Sequence, residues 1–472
     1  MLPHPALASH TVAIIGGGFT GAAVAFHLAC TASSRTRILV FEPRRVLGCG
    51  LAYDTDNPVH RINVTAQRMS LLPEDNGDFA RWIDATGACA DDPEAFLPDG
   101  RIFPRRAVFG RYVAARLTPF LAAGRISHIT ERATRLSRGS NGWFIACDHG
   151  LAHADTVVLA LGNPLPIVPA PIALALQGDP RLIADPNAAG ALDAIGPQDR
   201  VLVIGTGLTM ADVVASLDRR GHRGPIHAVS RRGQRAHGHA AIVTPPVGSF
   251  VDLSSCTARG LLRQVRARVA QGRKEGLDWH PVFDTLRIEA QTIWAALPLT
   301  EQRRLLCHLR PYWETHRHRV APQLNCVLEH QAGTGSLLVQ AASIVAARRQ
   351  DNALAVTLRP RGHATTVEAF FDAIIVTTGS APASLTRREP FIAELVRARQ
   401  LAPDPTSLGL ACDRLGRALD ASGAPQLDLL IAGPLARGIF GELTAVAEIA
   451  CQAADLAAQC RVPGVRRKAA AF

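Results

Sequence analysis

The amino-acid sequence predicts an α/β protein with two Rossmann-like dinucleotide-binding domains, the second inserted in the first, plus a helical segment. One order of elements, a strand, a glycine-rich turn and a helix, begins near residue 12 and again near residue 201. A further apolar strand that ends in glycine follows each unit. The chain has 472 residues, 47% of them apolar, which is enough for several domains of ~100–200 residues each.

The first unit has every part of a dinucleotide-binding fingerprint. A strand at residues 12–15 leads into a turn at Gly16, which permits the tight bend. Gly18 lets the backbone approach a pyrophosphate, and Gly21 lets the helix pack against the strand. The helix N-terminus then offers free N–H groups to the phosphates. Glu42 ends the next strand, where a carboxylate can accept both hydroxyls of an adenosine ribose. This unit therefore predicts an FAD site.

The second unit differs where the ribose would be bound. Its strand at residues 201–204 leads into a glycine turn and a helix, but no acid ends the following strand. A serine and two arginines lie there instead, and they can bind a 2′-phosphate that a carboxylate would repel. This favours NADPH over NADH as the reductant, with solvated turn arginines as the alternative. The candidate nicotinamide-cofactor contacts are Gly205, Gly207, Leu208, Thr209, Ser230, Arg231 and Arg232.

Two strand ends predict how the domains are connected. A strand at 157–161 ends before Gly162, and another at 374–376 is followed by Gly379, a pattern that commonly marks crossings between domains in two-dinucleotide flavoproteins. The nicotinamide domain is thus predicted to be inserted in the FAD domain. The predicted parts are residues 10–195 (FAD domain, first part), 196–350 (nicotinamide domain, with a helical insertion at about 256–322) and 351–472 (FAD domain, second part). Alternation at 324–358 predicts strands.

Further candidate FAD contacts follow from position. Asn63 lies in an apolar context and can donate to and accept from flavin heteroatoms, with a turn-forming asparagine as the alternative. Near the C-terminus, Gly441 is predicted to begin a long helix whose positive end faces the flavin pyrimidine. An ordinary closing helix is the alternative. The candidate FAD contacts are Gly16, Gly18, Thr20, Gly21, Glu42, Gly50, Asn63, Gly433, Glu442 and Thr444.

A dense aromatic and basic cluster near residue 313 could receive an anionic substrate. Arg317 and Arg319, together with Asn63, are the candidate substrate contacts, with a solvated surface as the equal alternative. His237 and His239 could face one way on a strand, but no third ligand is evident, so no metal site is predicted.

Charge and cysteine usage exclude several classes of function. The net charge is +11, yet no aromatic-basic repeat or nucleic-acid module occurs, so no nucleic-acid partner is expected. No apolar run reaches ~18 residues and the first residues do not resemble a signal peptide, so no membrane span or secretion is expected. The ten cysteines form no C-x-x-C pair, which favours reduced thiols in a cytoplasmic protein. The oligomeric state stays open.

The chain resembles a bacterial family of FAD/NAD(P)-binding flavoprotein monooxygenases over nearly its whole length. The motifs that carry the resemblance are GGGFTGAAVAFHLA, GCGLAY, HRINVTAQRMS, GTGLTMADVV, PYWETHRHR, the second TTG and GPLARGIFGELTAVAEI. The family includes a FAD-dependent urate hydroxylase and a nitrosuccinate-forming amine oxygenase. The compact length of this chain is more similar to that of the urate hydroxylase.

The resemblance implies an enzyme that uses FAD, NADH or NADPH, and O2 to hydroxylate a small molecule. Urate is the expected substrate and 5-hydroxyisourate the expected product, in purine degradation, through a flavin C4a-(hydro)peroxide. Such chemistry needs positioning and a dry site rather than a protein nucleophile. N-hydroxylation of an amine or amino acid is the alternative within the same fold. A flavoprotein reductase is the alternative from another class, and a non-enzymatic cofactor-binding regulator is the last.

Overall fold

The computed structural model describes residues 10–163, 166–251, 257–379 and 384–460. Within these residues the strands are β1 (His10–Ile15), β2 (Thr36–Phe41), β3 (Ile126–Ile129), β4 (Ala133–Gly139), β5 (Gly142–Cys147), β6 (Gly150–Ala154), β7 (Thr156–Leu159), β8 (Leu182–Ile183), β9 (Val201–Ile204), β10 (Ile226–Ser230), β11 (Leu337–Gln350), β12 (Ala353–Pro360), β13 (Val367–Phe371), β14 (Ala373–Val376), β15 (Arg417–Leu419) and β16 (Pro425–Ile431).

The helices of the same residues are α1 (Phe19–Thr31), α2 (Gly50–Tyr53), α3 (Asp78–Thr86), α4 (Arg106–Ala122), α5 (Ala170–Leu176), α6 (Leu208–Arg219), α7 (Ala258–Lys274), α8 (His280–Ala296), α9 (Leu299–His308), α10 (Arg310–Arg317), α11 (Pro322–Gly333), α12 (Leu385–Arg388), α13 (Pro390–Arg397), α14 (Arg437–Phe440) and α15 (Val446–Gln459). Short 3₁₀ turns occupy Ala66–Arg68, Pro93–Ala95 and Gly433–Ala436.

The first sheet carries the N-terminal glycine turn. Its strand order is β15-β16-β7-β1-β2-β3, and all neighbours except β15 and β16 run parallel. Helix α1 packs against both α4 and α15, and the antiparallel sheet β4-β5-β6 contacts β1 and β7. The central strands β1 and β7 are buried along their apolar runs, as expected for parallel strands that are covered on both faces.

The second sheet carries the second glycine turn. Its order is β13-β12-β11-β10-β9-β14-β8. The strands β8, β14, β9, β10 and β11 run parallel, whereas β12 pairs antiparallel with both β11 and β13. The sequence predicted that the nicotinamide domain ends at residue 350. The strands β12, β13 and β14 lie beyond that residue but pair within the second sheet. The return to the first sheet comes after residue 376, since β16 pairs with β7.

Helices α7 to α10 form the helical segment between β10 and β11, and α8 also contacts α14 of the C-terminal part. Residues 324–333 do not continue the strands predicted there. They belong to α11, which begins at Pro322 and places Leu324 and Leu328, one turn apart, in the core beside α6. None of the described helices is both long and apolar enough to cross a bilayer.

Candidate active site

The first glycine turn is shaped by backbone contacts that leave no room for side chains. Gly16 has a φ of 101°, and a Cβ atom there would lie 2.5 Å from the carbonyl oxygen of Ala160. A Cβ atom on Gly21 would lie 1.8 Å from the carbonyl oxygen of Gly16. These two glycines hold α1 tightly against β1. The N-terminus of α1 consequently faces the carboxyl edge of the sheet, where a pyrophosphate could be bound by free N–H groups.

Gly18 and Gly50 face each other across the approach to this helix N-terminus. A Cβ atom on Gly18 would lie 3.4 Å from the Cα atom of Gly50, and Gly50 itself has a φ of 52°. Glu42 is buried at the end of β2 and accepts the N–H of Gly17 at 2.9 Å. Its other carboxylate oxygen accepts a hydrogen bond from Arg44 at 3.1 Å. The glycine backbone without side chains and the buried carboxylate fit the diphosphate and the ribose of FAD.

Gly433 and Thr444 are the C-terminal candidates whose surroundings fit this FAD site. Gly433 has a φ of 65°, and a Cβ atom there would lie 2.6 Å from the Thr20 hydroxyl oxygen, so the 3₁₀ turn after β16 is in direct contact with α1. The Oγ1 atom of Thr444 is buried and has no hydrogen-bond partner among the described residues. An orphaned hydroxyl of this kind fits a site that a cofactor completes.

The long C-terminal helix begins later than predicted. α15 starts at Val446, and Gly441 has a φ of 73°, which ends the short helix α14 instead of starting a long one. A Cβ atom at Gly441 would lie 2.4 Å from the Trp294 ring, so this close approach to α8 explains the break. Thr444 consequently lies in the turn before the helix, and its hydroxyl is near the positive end of the dipole.

Glu442 is held by other side chains of the protein. Its Oε1 atom accepts a hydrogen bond from the Trp313 indole at 2.7 Å, and its Oε2 atom lies 2.7 Å from Nε of Arg317. The carboxylate and the guanidinium are both buried. The role predicted for Glu442 as a direct FAD contact therefore stays a proposal, whereas its ion pair with a candidate substrate arginine is a feature that sequence patterns did not indicate.

The second glycine turn resembles the first in shape. Gly205 has a φ of 117°, and a Cβ atom there would lie 2.4 Å from the carbonyl oxygen of Thr377. A Cβ atom on Gly207 would meet nothing within 4 Å, so the backbone just before α6 borders open space, whereas Leu208 and Thr209 of its first turn are half-buried. The hydroxyl of Ser230 lies 2.9 Å from that of Thr206, which joins the end of β10 to the turn.

The two arginines after β10 are not equivalent. Arg231 is exposed and forms no ion pair with any residue that the structure describes. Arg232 lies over the ring of Tyr312, with 5.2 Å from its guanidinium carbon to the ring centroid, and donates to the phenol oxygen at 3.2 Å. Arg231 is therefore the freer of the two to bind a 2′-phosphate.

Arg231→Ala is expected to raise the KM for NADPH about tenfold to a hundredfold, because a charge-assisted hydrogen bond contributes ~1.5–3 kcal/mol. The KM for NADH should stay nearly unchanged. Steady-state kinetics with both cofactors measure the effect, and Arg220→Ala, which removes an arginine that pairs with Asp193 at 2.7 Å, is the control. Equal effects of Arg231→Ala on NADPH and NADH would contradict the phosphate role.

All three candidate substrate residues line one polar cavity of about 380 Å³. Asn63 comes from the FAD domain, and Arg317 and Arg319 come from α10 and the loop that follows it. The loop after β10 closes the cavity, since the Nε2 atom of His239 lies 3.0 Å from the carbonyl oxygen of Asn63. The cavity therefore lies where both dinucleotide-binding domains and the helical segment meet.

The charges around this cavity are mostly positive. Arg319 pairs with Asp284 at 2.7 Å, and Arg317 reaches Glu442 outside the cavity lining. Further lining residues that sequence analysis did not assign to a substrate site are Arg68, Asp99, Arg101, His239, His280, Asp284 and Arg287. Of these, only His239 had been singled out, as a rejected metal ligand. Within the described residues no cluster of three metal-ligating side chains occurs.

Burial and neighbouring arginines keep the local histidines neutral. The pKa of His239 is lowered to about 4, chiefly by burial, with Arg319 and Arg101 also lowering it. Burial lowers the pKa of His237 to about 4 as well, with His316, Arg235 and other cationic groups adding to the effect. Desolvation also lowers the pKa of the Arg287 guanidinium. A basic group that enters this region is thus driven toward its neutral form.

His239→Gln is expected to make the protein less sensitive to acid. The unfolded chain protonates this histidine near pH 6.5 and the folded chain only near pH 4, so its contribution to stability is lost as the pH falls through that interval. The glutamine variant keeps a donor to Asn63 but does not titrate. Between pH 7 and pH 5, denaturant unfolding should show that the wild-type protein loses about 1–2 kcal/mol more than the variant does. Equal losses would contradict the buried neutral state.

The N-terminal domain matches a known family. Residues 13–164 match a family model described as FAD-NAD(P)-binding, which supports the predicted FAD and nicotinamide cofactors. No curated protein sequence shows significant similarity to the chain.

Solved structures resemble the whole chain at low sequence identity. An ornithine N-hydroxylase from Kutzneria sp. 744, in complex with reduced FAD, NADP⁺ and L-ornithine, is 15% identical with a TM-score of 0.66, covering 96% of this chain and 98% of that one. An L-lysine 6-monooxygenase from Pseudomonas syringae is 18% identical with a TM-score of 0.63, covering 96% and 99%. A thioredoxin reductase from Lactococcus lactis is 11% identical with a TM-score of 0.51, covering 96% and 98%. These likenesses confirm the predicted fold class.

Proposed function

We propose that the protein is an FAD- and NADPH-dependent monooxygenase that hydroxylates the nitrogen of an amine or amino acid. The observation that carries the proposal is the cationic cavity between the two dinucleotide-binding domains. An amine nitrogen reacts with an electrophilic oxygen through its lone pair, so it must lose its proton first. A cavity that keeps its lining residue His239 neutral favours the neutral amine for the same reason.

The cofactors would carry out the redox chemistry, and the protein would bind and position the reactants. When bound, FAD would supply the redox chemistry, with NADPH as the reductant and O2 as the oxidant. The chain binds and orients the reactants: Arg317 and Arg319 give the polar cavity a positive charge that disfavours a protonated amine, and the neutral His239 lies where it can accept or pass a proton. The inserted helices α8 and α10 help to cover the cavity and exclude water.

The comparisons support an amine substrate more than urate. The ornithine and lysine enzymes hydroxylate amino acids according to their names, and each likeness covers 96% of this chain. Urate hydroxylation, the expectation drawn from sequence resemblance, finds no support among these structures. A reductase of the thioredoxin-reductase type is less favoured, because the chain contains no C-x-x-C pair.

The test is NADPH oxidation and O2 uptake by the FAD-loaded protein with a panel of amines and amino acids, with urate and a quinone as separate arms. We expect a member of the amine panel to stimulate NADPH oxidation and to yield a hydroxylamine, with one O2 consumed per product. Stimulation by urate with loss of its ultraviolet absorption would favour the urate reading. Electron transfer to the quinone with no oxygenated product from any arm would favour a reductase.

A further inference from the structure

A second, apolar cavity lies beside the polar one, inside the helical segment. It has a volume of about 150 Å³ and is lined mainly by leucine, isoleucine, valine, phenylalanine and tryptophan side chains of α7, α8, α9 and α10. Phe283 lines both cavities. The ion pair between Arg317, which lines the polar cavity, and Glu442, which lines the apolar one, also separates them.

The size of the apolar cavity sets the size of its occupant. An engineered cavity of about 150 Å³ lined by leucine, isoleucine and phenylalanine stays dry and binds benzene. A phenyl ring or a branched aliphatic side chain is therefore the right size. A terminal ammonium group is not suited to it, because desolvation of an unpaired charge among apolar side chains is unfavourable.

One end of the apolar cavity is positively charged. Arg310, Arg437 and Glu442 line this end, and Arg437 is 9% exposed. Glu442 is already paired with Arg317, and Arg310 donates to Glu314 at 2.7 Å. The nearest carboxylates to Arg437 are Glu442 and Glu314, at 3.7 Å and 3.8 Å, and its one hydrogen bond in the described residues goes to the Gly441 carbonyl at 3.2 Å.

Among the residues that the structure describes, the surrounding ion cluster has one guanidinium group more than it has carboxylates. It contains the four guanidinium groups of Arg287, Arg310, Arg317 and Arg437, but the three carboxylates of Glu314, Glu442 and Glu448. Buried charges are normally paired, so the unmatched guanidinium at the cavity end is suited to an anion supplied by a ligand. A carboxylate can take two parallel hydrogen bonds from it.

We propose that the apolar cavity binds the aromatic or branched aliphatic side chain of an amino-acid substrate, and that Arg437 binds its carboxylate. This inference rests on the proposed function for the amine of the same substrate. It assigns the substrate to the apolar amino acids and separates it from ornithine and lysine, whose side chains end in ammonium groups.

The test uses 3-phenylpropanoate, which has the ring and the carboxylate but no nitrogen to oxidise. Its binding to the FAD-loaded protein is measured by calorimetry without NADPH, beside 3-phenylpropan-1-ol and 5-aminopentanoate. Both comparison ligands should bind about tenfold to a hundredfold more weakly, since one lacks the anion and the other lacks the apolar group. Equal affinities for acid and alcohol would overturn the role of Arg437.

Ala290→Phe supplies an independent test of the cavity, because residue 290 lines it. This variant should bind 3-phenylpropanoate about tenfold or more weakly. Ala295→Phe is the matched control, since residue 295 is exposed on the same helix and does not line the cavity. Equal binding by both variants and the wild-type protein would overturn the cavity assignment.

The two proposals fail in different ways. Cavity-dependent binding of 3-phenylpropanoate without hydroxylamine formation from any amine would support the ligand site and overturn the proposed function. Hydroxylamine formation from lysine, with no binding of 3-phenylpropanoate, would support the function and overturn the ligand site. With both correct, phenylalanine or leucine should exceed lysine at least about tenfold in kcat/KM.

Discussion

Gly18→Val is expected to give a folded protein that lacks FAD and its yellow colour. Gly18 and Gly50 face each other with no side chain between them, and a Cβ atom on Gly18 would already lie 3.4 Å from the opposing Cα atom. The two methyl groups of valine would fill the space through which the pyrophosphate approaches the helix N-terminus. Flavin absorbance per mole of purified protein measures the loss.

Two matched variants separate loss of FAD from loss of folding. Gly150→Val places the same side chain at an exposed strand position with nothing within 4 Å, and it should keep full flavin content. Gly207→Val, which changes the corresponding turn of the second domain, should keep FAD but lose reduction of the flavin by NADPH. Full flavin content in Gly18→Val would contradict the FAD site in the N-terminal domain.

Glu442→Ala is expected to lower the free energy of unfolding by about 3–5 kcal/mol, because it leaves the Arg317 guanidinium buried without its close partner. The Arg317 side chain is 4% exposed, and the next carboxylate, that of Glu448, lies 3.7 Å away. The Trp313 indole would also lose its acceptor. Denaturant unfolding of the FAD-loaded protein measures the change.

Variants of the same network show whether loss of the ion pair causes the destabilisation of Glu442→Ala. Glu442→Gln can still accept from Trp313 and should be destabilised less than Glu442→Ala. Adding Arg317→Met to Glu442→Ala should recover part of the loss, because it removes the unpaired charge. Glu368→Ala breaks an exposed pair with Arg348 and should leave stability unchanged. Equal stability of Glu442→Ala and Glu368→Ala would show that the buried pair between Glu442 and Arg317 does not stabilise the fold.

Local sequence patterns predicted the framework of both dinucleotide-binding domains. β1 and β9 are short apolar runs that lead into glycine turns, and β2 and β10 are the next apolar runs after the helices that follow these turns. Such signals depend only on residues that are neighbours along the chain. Secondary structure after residue 324 is harder to predict from the sequence. Helix α11 carries its apolar residues on one face, and the strand β11 follows it closely. Its Pro322 start was the available signal for a helix.

The lining of the two cavities could not be predicted from the sequence. Arg317, Arg319 and Asn63 were chosen from composition and position, yet they line one cavity. Asp284 and Arg287 lie three residues apart on α8, a spacing that also suits an ordinary solvent-facing helix, so nothing in the sequence marked them. The apolar cavity likewise depends on how four helices pack, which periodicity within each helix does not specify.

Nitrogen oxygenation is tested most directly by the origin of the oxygen atom in the product. The FAD-loaded protein is incubated with NADPH, the amine that best stimulates NADPH oxidation, and ¹⁸O₂ in unlabelled water, and the product is identified by mass spectrometry. We expect a hydroxylamine that carries one ¹⁸O atom on nitrogen. An unlabelled amine together with hydrogen peroxide as the sole product of O2, or a label on carbon, would contradict nitrogen oxygenation.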